Sequence, residues 1–143
     1  MILGTAYRLR NIHDFINAAL MVPFKENGRD YDGWDCYGLV YCAYRDIKGI
    51  LLPAYGGYTH KSDYNDLKAA IDGEKEEFEE VQPGMQKPLD IALFSMKSHH
   101  PHVALVINNR EALHSNGKSG TFIEPLRSAY WNKRIDGFYR LKQ

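Results

Sequence analysis

The chain has 143 residues, of which 44% are hydrophobic and 25% charged, with 18 Lys+Arg balanced by 18 Asp+Glu. This length predicts one domain spanning residues 1–143. A balanced charge without a dense basic run gives no electrostatic footprint for nucleic acid or an acidic membrane, and no apolar run reaches the roughly 18–20 residues of a membrane span. Residues 1–11 lack the apolar stretch of a secretory signal. We therefore expect no nucleic-acid or membrane partner, and synthesis in the cytoplasm.

Apolar residues at helical spacing predict two helices in the first third of the chain, over residues 11–21 and about 35–48. Asn11 and Asp35 are suitable N-caps, and Gly49 is a suitable stop for the second helix. The polar stretch 25–33 between them has the composition of a loop. A short helix is predicted over 62–71, and the Glu-rich run 74–80 is typical of a solvated face or a strand edge.

The second half of the chain changes to short β-branched or aromatic runs separated by Pro, Gly and Asn. Such runs predict the strands of an antiparallel meander. Helices followed by strands indicate an α+β fold, with N-terminal helices packed against a C-terminal antiparallel sheet. The predicted strands are 89–96, 102–108, 111–115, 121–124 and 135–141.

Both cysteines, Cys36 and Cys42, fall on the second predicted helix. Six residues of helix separate them by about 9 Å, beyond the roughly 7 Å limit for a disulfide, so we expect two free thiols. Cys36 would occupy the first turn, where unpaired N–H groups and the helix dipole lower the pKa of a thiol. Cys36 is thus the better nucleophile candidate, although its position alone fits a small buried hydrophobe equally well.

Four of the six histidines lie between His99 and His114, in the strand-rich half. A three-residue hairpin loop at 108–110 would set Ala104 opposite His114 and make His102 and His114 diagonal neighbours on one face. His102 would then act as base for Cys36, and His114 would orient His102. A competing interpretation has His99, His100 and His102 bind a transition metal, but Pro101 and the lack of a nearby carboxylate favour no metal.

Four blocks of sequence resemble the NlpC/p-sixty family of cysteine peptidases, particularly its branch in phage tail proteins. They follow the family's order: a nucleophile block, a strand entry, a histidine strand and a strand with the third polar residue. These blocks are residues 33–40 (GWDCYGLV), 88–94 (PLDIALF), 102–106 (HVALV) and 112–114 (ALH).

The resemblance implies a papain-like fold and a triad of Cys36, His102 and His114, with no cofactor. It also implies hydrolysis of amide bonds in peptidoglycan stem peptides, commonly between D-glutamate and a diamino acid. Other phage tail proteins would be partners, and the protein would become a component of the virion tail. Substrate contacts are expected around Cys36, from Asp35, Tyr31, Trp34 and Tyr37, together with Tyr55 and Tyr58.

Three departures from the family pattern stand out. Tyr37 replaces the commoner Ser after Cys36, as is frequent in the phage branch. Phe24 follows Pro23 where the family often has a Pro-Tyr pair, so a hydroxyl is missing that Tyr31 or Tyr37 could replace. Leu89 precedes Asp90 where the family usually has Gly. Two alternatives therefore stay open: a tail-assembly or wall-binding module with a little-used triad, and an acyl transferase or thioesterase on the same fold.

Overall fold

A computed structural model describes residues 11–52, 78–95 and 102–142. The predicted helix at 62–71, Tyr55, Tyr58, His99 and His100 lie outside these ranges. Within them, no helix is both long and apolar enough to cross a membrane.

Two N-terminal helices form where the apolar periodicity predicts them. Helix α1 spans Ile12–Ala19 and is capped by Asn11. Helix α2 spans Cys36–Ala43 and continues as a π-helical turn over Tyr44–Lys48. Gly49 ends this segment with φ 69°, the left-handed conformation that favours glycine at a helix end. Both helix predictions are confirmed.

The strands form one six-stranded antiparallel sheet and one small hairpin. The order in the large sheet is β3-β8-β4-β5-β6-β7, and a short helix, α3 (Ala129–Asn132), precedes the last strand. The strands are β1 (Arg29–Asp30), β2 (Gly33–Trp34), β3 (Phe78–Val81), β4 (Ile91–Phe94), β5 (His102–Val106), β6 (Glu111–Asn116), β7 (Gly120–Pro125) and β8 (Ile135–Leu141).

The α+β class is confirmed, but the simple meander is wrong for one strand. Strands β4 to β7 follow each other as a meander, whereas β8 returns across the sheet and pairs with β3 and β4. The loop prediction for 25–33 also missed hairpin β1–β2, because two-residue strands carry no alternation. Strand β3 confirms a strand edge in the Glu-rich run: Glu79 and Glu80 are exposed there, while Phe78 is buried.

The sheet has a buried cluster on each face. Val103 and Leu105 of β5 belong to the cluster that includes α2. Ala104 and Val106, which alternate with them, belong to a second cluster that includes Trp131 of α3. This alternation places His102 at the end of β5, on the face covered by α3.

Candidate active site

His102 and His114 are brought together by the hairpin β5–β6. The structure pairs Leu105 with Leu113, and this register continued by one residue sets Ala104 opposite His114, as the three-residue loop predicted. Nε2 of His102 lies 2.8 Å from Nδ1 of His114, within hydrogen-bond distance. The two rings are inclined by only 13°. The pairing of β5 with β6 therefore fixes the two histidines next to each other.

The histidine pair is enclosed by aromatic rings. Phe94, Phe122 and Trp131 all have ring centroids within 5.5 Å of one or both imidazoles. Burial lowers the pKa of His102 to about 4, and burial together with the His102 charge lowers that of His114 to about 3. Nε2 of His114 is buried and has no hydrogen-bond partner among the described residues. Both imidazoles are thus held neutral at pH 7.

We expect acid to destabilise the fold through these two side chains. Their pKa values lie below the unfolded value of about 6.5, so the unfolded chain binds more protons as pH falls. The stabilisation is complete above about pH 6.5 and is lost as pH falls toward pH 4. Urea unfolding at pH 7, 6 and 5 should show a loss that steepens as pH falls, approaching about 1.4 kcal/mol per pH unit for each histidine below pH 6.

Replacing His114 by Phe should make the free energy of unfolding less dependent on pH by the contribution of one histidine, since a ring that does not titrate then fills the same aromatic site. His13→Gln is the matched control, because it removes a histidine from an exposed position on α1, outside the buried pair. Equal slopes for His114→Phe and the intact protein would contradict the account.

Cys36 is the first residue of α2, directly after its cap. Asp35 accepts hydrogen bonds from the backbone N–H of Gly38 and Asn27 at 2.8 Å and from the Arg29 guanidinium at 2.9 Å. Asp35 is 2% exposed, and burial raises its pKa against the opposing effect of Arg29. The carboxylate therefore fixes the helix start on which the thiol sits.

Trp34 attaches this helix start to the end of the sheet that carries the histidines. Its indole N–H donates to Thr121 Oγ1 at 2.9 Å, and the Thr121 hydroxyl donates to the carbonyl of Val22 at 2.8 Å. The hydroxyl of Ser115 donates to the Trp34 carbonyl at 3.1 Å. Ser115 directly follows His114, so its bond holds the Trp34 carbonyl beside the histidine pair. Cys36 is only two residues further along the chain from Trp34.

Cys42 has a different environment from Cys36. It is fully buried within α2, and its thiol donates to the carbonyl of Arg29 at 3.2 Å. Burial raises the pKa of Cys42 to about 12. Both cysteines are free thiols, as expected, and Cys42 is held in the unreactive protonated form.

Three of the side chains predicted to contact substrate are occupied inside the protein. Trp34 is fully buried and stacks on Phe15 with centroids 5.7 Å apart, which places it in the core instead of a groove wall. Tyr37 is 3% exposed, with Arg29 over its ring. The hydroxyl of Tyr31 donates to Asp46 at 2.6 Å. Asp46 lies nearly three helical turns beyond Cys36, so Tyr31 does not supply the hydroxyl that Phe24 lacks.

The sequence matches the NlpC/P60 family over residues 21–140. The chain belongs to this family. Over 115 residues it is 27% identical to the Escherichia coli (strain K12) protein named murein DD-endopeptidase MepS/murein LD-carboxypeptidase. That match covers 80% of this chain and 53% of the relative, so the chain spans about half the length of the curated relatives it matches.

Solved structures of the NlpC/P60 family share this fold. A family protein from Bacillus cereus ATCC 10987 superposes with a TM-score of 0.66 and 19% identity, covering 94% of this chain and 41% of that chain. RipD from Mycobacterium tuberculosis, described as a non-catalytic NlpC/p60 domain protein adapted to peptidoglycan binding, gives a TM-score of 0.57 and 18% identity over 94% and 98%. These likenesses confirm the papain-like α+β fold.

The NlpC/P60 strand-entry block is a structural anchor in this chain. Asp90 binds Arg140 of β8 through two bonds of 2.8 Å and accepts the backbone N–H of Lys87 at 2.8 Å. Leu89 has φ 80°, a conformation that glycine adopts without strain, and its carbonyl accepts the hydroxyl of Tyr44. Leu89 thus occupies a backbone conformation suited to the glycine that the family pattern usually has at this position.

Phe24 lies beside the anchored helix start. It forms a parallel bridge with Trp34, and its ring is 38% exposed. A tyrosine at this position would add a hydroxyl to the ring, whereas Phe24 presents only carbon.

Trp131 contacts both imidazoles and was not among the residues predicted from the sequence. The available signal was an aromatic pair, Tyr130-Trp131, behind the potential helix cap Ser128. In the described ranges, no cluster of three His, Cys, Asp or Glu residues is arranged to hold a metal ion. The alternative metal site would need His99 and His100, which lie outside those ranges.

Proposed function

We propose that this NlpC/P60 domain is a cysteine peptidase that hydrolyses amide bonds in the stem peptides of peptidoglycan. The observation that carries the proposal is the buried 2.8 Å contact between His102 and His114 beside the anchored start of a thiol-bearing helix. Nucleophilic catalysis by a thiol needs such an oriented imidazole. The name of the E. coli relative, a murein endopeptidase, supports peptidoglycan as the substrate class.

The proposed reaction begins with the proton of the Cys36 thiol passing to Nδ1 of His102 while sulfur attacks the amide carbonyl. This role requires His102 to carry its own proton on Nε2, donated to Nδ1 of His114. The C–S bond forms, the C–N bond breaks, and His102 returns the proton to the departing amine. Water then hydrolyses the thioester. The backbone N–H of Cys36 would help to stabilise the oxyanion.

The bond that we propose joins D-glutamate to a diamino acid, on the resemblance of the nucleophile block to the family. The E. coli relative is named for two other cleavages, DD-endopeptidase and LD-carboxypeptidase. The side chains of Trp34 and Asp35 are committed to the fold, so specificity is proposed to rest on other groups, including backbone, around Cys36.

A place in a phage or prophage tail is part of the same proposal. The support is the resemblance of residues 33–40 to the tail branch, including Tyr37 after the nucleophile. In this setting the protein is made in the cytoplasm, joins other tail proteins and reaches the wall as part of the virion.

A wall-binding or tail-assembly role without turnover is the second candidate. Two observations favour it: Phe24 lacks the hydroxyl that the family often has near the nucleophile, and RipD shows that a non-catalytic protein occurs on this fold.

The test is to incubate the protein, and Cys36→Ala as control, with three defined muropeptides and to identify products by mass spectrometry. The substrates are a monomeric tripeptide, a monomeric tetrapeptide and a 4–3 cross-linked dimer.

Release of the diamino acid from the tripeptide by the intact protein alone would support the proposed bond. Loss of D-alanine from the tetrapeptide, or splitting of the dimer at its D-alanyl cross-link with both stem peptides intact, would keep the peptidase and replace the bond by one of those named for the E. coli relative. No product from any substrate, with co-sedimentation of the protein with intact sacculi, would replace the peptidase by the binding role.

A further inference from the structure

Trp131 lies flat across the two histidines. Its ring centroid is 4.8 Å from that of His102 at 22°, and 4.5 Å from that of His114 at 31°. Since the imidazoles are joined edge to edge and inclined by only 13°, one indole overlaps both rings and the hydrogen bond between them. Trp131 is itself only 5% exposed.

Helix α3 holds this indole in place. The Ser128 hydroxyl caps the helix by accepting the backbone N–H of Trp131 at 3.5 Å. The backbone N–H of Asn132 donates to the Ser128 carbonyl at 2.9 Å. The carbonyl of Trp131 accepts the Arg134 N–H at 2.9 Å. On its inner side, Phe94 meets the indole edge to face with centroids 5.1 Å apart. The indole is therefore positioned before any substrate arrives.

We propose that Trp131 is a positioning residue for the reaction: its indole keeps water from the His102–His114 hydrogen bond, and so keeps Nε2 of His102 on His114 and leaves Nδ1 of His102 to accept a proton. The inference rests on the proposed peptidase function. It assigns no substrate contact to Trp131, which acts through the two imidazoles.

Two physical effects make the stacked indole of Trp131 suited to this role. A hydrogen bond shielded from water is stronger than one that competes with solvent, so the orientation of His102 is better fixed. When His102 takes the thiol proton it becomes a cation in a buried site, and the face of an indole attracts a cation. An aliphatic side chain of similar size would supply only the first effect.

The test compares Trp131→Leu and Trp131→Phe with the intact protein, and uses Tyr130→Ala as matched control. Tyr130 is on the same short helix, packs edge-on against Trp131 and is 51% exposed. The ring that lies against the imidazoles is that of Trp131. One readout is kcat and KM on the cleaved muropeptide. The other is the ¹⁵N shifts of the His102 ring without substrate, which report which nitrogen carries the proton and are assigned with His102→Gln.

We expect Trp131→Leu to lower kcat about tenfold with KM nearly unchanged, and to replace the single Nε2–H tautomer of His102 by a mixture. Trp131→Phe should recover part of both properties, and Tyr130→Ala should retain them. A merely structural role would change the folded fraction without redistributing the ring proton of the folded molecules.

The inference is overturned if folded Trp131→Leu, or Trp131→Phe where the leucine variant does not fold, keeps both the kcat and the His102 shifts of the intact protein. The ring shifts are measured without substrate, so they test the positioning role independently of turnover. An intact protein with no turnover would overturn the peptidase function instead.

Discussion

Replacing Cys36 by Ala is expected to reduce stem-peptide hydrolysis by about 10⁴-fold or more, because no other group in the proposed site can form the thioester. Cys36 is 6% exposed, and the small change should leave α2 and its cap in place. The measurement is the steady-state rate of product formation, followed by mass spectrometry.

Cys42→Ala is the matched control for this loss. It removes the other thiol from the same helix, where the pKa of Cys42 is raised to about 12 and its sulfur bonds to the Arg29 carbonyl. Activity should stay within a few-fold of the intact protein. Equal losses for the two alanine variants would show that hydrolysis depends on the integrity of the helix and not on the Cys36 thiol.

Gly38→Ala is expected to destabilise the fold by about 3 kcal/mol, one of the largest effects of a single methyl group in this chain. A Cβ at Gly38 would lie 2.1 Å from the Gly28 carbonyl oxygen and 2.9 Å from Cβ of Trp34. The first contact is with backbone, so hairpin β1–β2 would have to move away from α2. The intrinsic helix preference for alanine, about 1 kcal/mol, is too small to offset this cost.

The same displacement should lower activity, because β2 and the cap directly before α2 carry the anchored Trp34 and Asp35. Urea unfolding gives the stability, and the muropeptide assay gives the rate. Gly117→Ala is the control: its Cβ would meet only the Phe24 ring, at 3.8 Å, an ordinary contact. A Gly38→Ala protein as stable as Gly117→Ala would contradict the tight contact between the hairpin and the helix.

Local features of the site followed from the sequence. The cap at Asp35 and the apolar period after it predicted the helix start at Cys36, because these signals lie within a few residues of each other. The length of one hairpin loop predicted that His102 and His114 would be neighbours. Each of these inferences used only short-range chain geometry.

Contacts between distant segments were beyond such reasoning. Trp34 was expected to line a groove, but its indole N–H bonds to Thr121, 87 residues later, and this bond depends on how the sheet meets the helices. Arg140 and Trp131 were likewise missed, because their partners Asp90 and His102 become neighbours only when the strands are in order. The contact between Arg140 and Asp90 exists because β8 returns to lie between β3 and β4, and no local pattern encodes that return.

The most direct test of the central claim, that Cys36 is an activated nucleophile, is its rate of alkylation by iodoacetamide as a function of pH, with each cysteine located by peptide mass. The account predicts that Cys36 reacts with an apparent pKa below the free-thiol value of about 8.5, while Cys42 in the folded protein is not modified. A Cys36 that titrates at or above 8.5, or reacts no faster than Cys42, would contradict it.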